Sequence, residues 1–121
     1  MSDQLKFTKS ERALLRRLAA EAWNVELSQH LTALLEQFNI WTNSGMNAFE
    51  LSDKIHEFHN GIARELYGRY TNLDPSIVVS RAIAVGILGK EVLDESLANK
   101  LAPEIKYFSV STSAVEPNED R

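Results

Sequence analysis

The sequence predicts an all-α fold: a long antiparallel helical hairpin plus two shorter helices, arranged as a bundle. Three observations carry this expectation. From Lys9 to Asn43 the chain holds no glycine or proline. Around Ser44–Gly45 the large apolar residues mirror one another: Phe38 with Leu51, Leu34 with Ile55, Leu31 with Phe58, Leu27 with Ile62 and Trp23 with Leu66, each pair of residue numbers summing to 89. After Asp74–Pro75 comes a segment that is apolar nearly all round. His30 and His59 obey the same mirror rule as the apolar pairs.

The first helix is expected to open on a capping box. Thr8 can accept from the backbone N–H three residues on while Glu11 reaches back, and Phe7 precedes them as a hydrophobic staple. Leu27, Leu31, Leu34, Phe38 and Trp41 then recur at 4-3-4-3 spacing, a coiled-coil-like seam. Upstream the apolar stripe lies elsewhere, at Leu14, Leu15, Leu18, Ala22 and Val25. The two ends of this helix therefore face different partners, with Asn24 and Ser28 the expected place for a bend. Thirty-five straight helical residues would span about 52 Å, more than the roughly 35 Å diameter of a compact domain this size.

Thr42–Asn47 reads as the turn, with Gly45 as C-cap and Asn47 as the next N-cap, Glu50 completing a second capping box. The second arm runs to about Tyr70, with its seam at Leu51, Ile55, Phe58, Ile62 and Leu66. Gly61 and Gly68 each weaken it by about 1 kcal/mol relative to alanine. Gly61 sits beside the seam, where close helix approach would explain it. Asp74 as N-cap and Pro75 at the first helical position begin a third helix, which Gly89 ends after Leu88. A short fourth helix covers Asp94–Leu101, and Pro103 ends or restarts the chain near Ile105–Phe108. Residues 1–108 form one domain in this reading. Residues 109–121, with two valines as their only sizeable apolar side chains, read as a disordered tail.

Composition narrows the function classes. With no cysteine among 121 residues, disulfides, thiolate zinc sites and cysteine catalysis are excluded. No apolar run reaches the roughly 18 residues of a membrane span. The first residues also lack a signal-peptide core, so the expected compartment is the cytoplasm. Net charge is −4, with Lys6, Lys9, Arg12, Arg16 and Arg17 concentrated in the first twenty residues and seven acids after residue 90. A nucleic-acid regulator using Arg12, Arg16 and Arg17 is disfavoured because one helix end is too small a basic footprint. Phosphate loops, H-E-x-x-H and the G-x-S-x-G elbow are all missing.

Two clusters remain. In the mirrored hairpin Glu26, His30, His56 and His59 form a candidate four-ligand set for a divalent metal, His-x-x-His within one helix being a usable spacing. Arg64, Tyr67, Arg69 and Tyr70 form a candidate site for an anionic ligand. Arg69 falls near the apolar arc, so the competing reading makes it an interface ion-pair residue with Glu21 or Glu65 as partner. The expected function is a non-enzymatic interaction or regulatory module acting as a homodimer, or on another helical protein, through the third helix and the first turns of the first. The alternative is a metal- or small-ligand-binding helical protein using the His/Glu cluster between the arms. No other cofactor is expected.

Overall fold

A computed structural model describes residues 6–119, with side chains up to residue 111. All regular structure among them is helical: α1 (Lys9–Thr42), α2 (Ala48–Phe58), a π-helical turn (His59–Ala63), α3 (Arg64–Asn72), α4 (Pro75–Ala84), a 3₁₀ turn (Lys90–Val92) and α5 (Glu95–Glu119). The chain divides into two compact units. One holds residues up to Ala22 together with those from Leu73 onward; the other is Trp23–Asn72. α1 is unbroken and contributes to both, and the division falls beside Asn24, where the apolar stripe changes face.

The first unit has a conventional core. Phe7, Leu15, Leu18, Val78, Val79, Leu97 and Leu101 are all buried. α4 and α5 pack against each other, and α4 buries Ser76, Val78, Val79, Ser80, Ala82 and Ile83. A helix apolar nearly all round is thus central within its own unit, and its apolar residues are largely consumed there.

Both capping boxes form. The Glu11 N–H donates to Thr8 Oγ1 at 3.1 Å and the Thr8 N–H to Glu11 Oε1 at 2.9 Å. Asn47 and Glu50 exchange the equivalent bonds at 2.8 and 2.9 Å. Asp74 precedes α4 as expected, yet its side chain makes no capping bond. Asp94 does cap α5, accepting from the Leu97 N–H at 2.8 Å.

Three boundaries differ from the sequence reading, each for a physical reason. In the hairpin turn the left-handed residue is Ser44 (φ 67°), not Gly45. The Ser44 and Gly45 N–H groups donate to the carbonyls of Trp41 and Ile40 at 3.0 and 2.8 Å, a Schellman closure. Gly45 is required by space instead, since a Cβ there would lie 2.7 Å from Ile40 Cγ2. α4 stops at Ala84 because Gly86, at φ 86°, closes a second Schellman pair: its N–H donates to Ile83 and that of Ile87 to Ala82, at 3.2 and 2.7 Å. α5 runs through Pro103 to Glu119, into the stretch assigned by sequence to a tail. Ser109 is helical and its hydroxyl donates to the Ile105 carbonyl at 2.9 Å. Side chains 112–119 and residues 120–121 of the expected tail lie outside the described residues.

Within the first unit Glu11 is a lock between chain ends. Its Oε1 accepts from Lys100 Nζ at 2.7 Å, and Oε2 accepts from the Ser96 hydroxyl at 3.3 Å. The lysine hydrogen bond, then the Thr8 backbone bond, hold the Glu11 carboxyl below its usual range against the opposing effect of burial. A carboxylate with a lowered folded-state pKa stabilises the fold above its unfolded pKa, and that contribution disappears as pH falls through the folded value. Glu11→Gln is therefore expected to be less stable than wild type at neutral pH. Its urea midpoint should also change less than the wild-type one between about pH 5 and pH 2.

Candidate binding groove

The second unit is a helical hairpin whose arms meet through polar and aromatic groups as much as through aliphatic ones. α1 supplies Trp23 and Glu26, and α3 supplies Tyr67, Arg69 and Tyr70. The Trp23 indole stacks on Tyr70, centroids 5.7 Å apart and planes within 4°, and meets Tyr67 edge-on at 6.0 Å. Arg69 Nη1 donates to Glu26 Oε2 at 3.1 Å while Nη2 donates to Glu65 Oε2 at 3.1 Å. Tyr70 Oη donates to Glu26 Oε1 at 2.9 Å. Glu26 is buried and Arg69 largely so, which makes this the internal clasp of the hairpin. Arg69 is thus an ion-pair residue, as the competing reading has it: Glu65 is one expected partner, and the other is Glu26 rather than Glu21.

These contacts sharpen the mirror rule. The arms do run antiparallel, but the contacting pairs have residue numbers summing to 90 through 96, not 89. The π turn is one cause: it takes up an extra residue in the second arm and displaces everything beyond it relative to the first. It carries His59, Asn60, Gly61, Ile62 and Ala63. Gly61 has open space where a Cβ would be, so the close-approach explanation for it fails.

The turn forms one wall of a cavity of about 600 Å³ that is open to solvent. Trp23 and Leu27 of α1 face His59, Asn60 and Ala63 of the turn and Arg64 and Tyr67 of α3. The Trp23 indole N–H is buried without a hydrogen-bond partner. A separate cavity of about 370 Å³ lies between His30, Leu34 and Gln37 on one arm and Lys54, Phe58 and Ile62 on the other.

The sequence-derived clusters divide accordingly. Arg64 and Tyr67 line the larger cavity, whereas Arg69 and Tyr70 are committed to Glu26, so the four do not act as one anion site. The four-ligand metal set is not assembled. His59 and His30 line different cavities, His56 is exposed, and Glu26 is taken by Arg69 and Tyr70. Among the described residues no group of three or more His, Asp or Glu is placed to hold a metal ion. Trp23 as a groove wall went unread at the sequence level, although Asn60–Gly61 inside a helical pattern was a signal for irregular backbone there. No described helix is long and apolar enough to cross a membrane. Comparison with known proteins returns no matching family model, curated protein or solved structure.

Proposed function

We propose that the chain is a non-enzymatic helical interaction module that acts as a homodimer, with the hairpin supplying the contact face. The observation that carries this reading is an uncovered apolar row on α1. Leu31 and Leu35 are 45% and 57% exposed, and Leu27 and Phe38 are only half-buried. Ile55 on α2 is 38% exposed. In the whole of Trp23–Asn72 the only apolar side chains that are buried are Leu51 and Leu66.

The geometry argues for a second copy as the occupant. A strict seam at 4-3 spacing faces one partner helix, while an apolar stripe of about 100° is what a helix presents to a broader core. Leu27, Leu31, Leu34, Leu35 and Phe38 together make the wider stripe, yet the hairpin offers α1 one partner arm. Two hairpins face to face would complete a four-helix bundle and cover both stripes with the same surface, as a two-fold dimer requires. Leu31 and Leu35, about half exposed in each copy, would each contribute roughly half of the 1.5–3 kcal/mol of a fully buried leucine.

Sedimentation equilibrium tests this. The wild-type chain is expected at twice its 13.7 kDa mass at tens of micromolar. Leu31→Glu/Leu35→Glu, which adds charge only at exposed positions, should weaken the dimer by at least about 100-fold, or 2.7 kcal/mol. A strictly monomeric wild type would overturn the proposal, as would a double variant that still dimerises.

A further inference from the structure

We infer that the groove at the π turn is a binding site for a small aromatic carboxylate. The inference does not rest on the dimer reading, although Leu27 belongs to both surfaces. It rests on what the groove walls offer and on what they lack.

Arg64 is the anchor. Its guanidinium makes no ion pair or hydrogen bond among the described residues, in contrast to Arg69, which holds two carboxylates. No acid is available to it along its own helix, because the positions three and four away are Asn60, Gly61, Tyr67 and Gly68. No acidic residue lines the groove at all. Glu26 and Glu65, the nearest carboxylates in the clasp, are already bonded to Arg69. The wall therefore carries an uncompensated cation with His59 and Asn60 beside it, and a planar guanidinium pairs with a carboxylate through two parallel hydrogen bonds.

The rest of the wall is aromatic and apolar. Tyr67 and Trp23 meet edge-on and present ring surface, with Leu27 and Ala63 completing the lining. Such a lining suits a ligand with one or two fused rings through offset or edge-to-face contacts. A volume of about 600 Å³ falls within the roughly 300–1,000 Å³ of small-molecule sites, which favours a free small molecule over a peptide segment. The backbone supports the assignment: π turns are rare and concentrate at functional sites. This one brings His59, Asn60 and Ala63 to the groove with no close helix contact that would demand it.

The probe is 2-naphthoate, with its uncharged isostere 2-naphthamide as the control. Titrations are followed by calorimetry and by the indole N–H signals of Trp23 and Trp41 in ¹H–¹⁵N spectra. Naphthoate is expected to bind saturably and to shift Trp23 but not Trp41. Naphthamide should bind at least about tenfold more weakly. Arg64→Gln, at an exposed position, should lose the same factor with its helical circular dichroism unchanged, whereas Arg17→Gln in the other unit should lose nothing. Running the titration also on Leu31→Glu/Leu35→Glu separates the groove from the dimer, since a monomer that still binds naphthoate supports the site even where the dimer proposal fails. Absence of saturable binding at low-millimolar probe would overturn the inference. So would equal binding of acid and amide, or an Arg64→Gln chain that binds as wild type does.

Discussion

Leu97→Ala is expected to destabilise the protein by about 3 kcal/mol, read as a lower urea midpoint at unchanged slope. Leu97 is fully buried, as is Leu101 one turn on, and both lie on the stretch of α5 that packs on α4. Truncation there removes the transfer free energy of the side chain and leaves a void between two helices whose other contacts hold them apart. Leu35→Ala supplies the comparison. At 57% exposure it has little burial to lose within one chain, and an effect within about 0.5 kcal/mol is expected under monomeric conditions. Near-equal losses at the two positions would mean that α5 does not form the core described here.

The same packing explains the clearest failure of the sequence reading. Pro103 looked like a stop because it removes a helical N–H and clashes with the preceding turn, at a cost of about 3 kcal/mol in a helix interior. What local chemistry did not reveal is that the apolar row does not end at Leu101. Ile105 and Phe108 continue it and are half-buried, while Pro103 itself is exposed. Burial along one face outweighs a local penalty on the other.

Elsewhere the legibility tracks how local the determinant is. The capping boxes at Thr8–Glu11 and Asn47–Glu50 involve residues three apart and were read correctly. The hairpin needed only mirrored spacing about one turn, and its antiparallel sense was legible too. Its register was not. A π turn inserts one residue without changing the apolar pattern, and Ser44 rather than the neighbouring glycine takes the left-handed conformation. The candidate anion cluster is split rather than kept together. Arg64 and Tyr67 reach the groove, but pairing Glu26 with Arg69 is a long-range choice that no spacing encodes. That one pairing also removed Glu26 from the metal set.

Glu26→Ala should accordingly cost about 3 kcal/mol, the low end of what breaking a buried ion pair costs. The loss has two parts. Arg69, whose side chain is 18% exposed, would keep only Glu65, itself 62% exposed and weakly worth holding in water. Tyr70 would lose its hydrogen bond to the Glu26 carboxylate at 2.9 Å while its ring stays stacked on Trp23, which removes a second charge-assisted contact from the clasp. The expected remedy distinguishes an ion pair that stabilises from one that merely must not be broken. Desolvation offsets most of the attraction between buried charges, so replacing both with apolar residues of similar volume is often neutral. Glu26→Leu/Arg69→Met is therefore expected to recover to within about 1 kcal/mol of wild type. If the double variant is as unstable as Glu26→Ala, the clasp contributes net attraction, and the hairpin depends on its charges rather than only on their being paired.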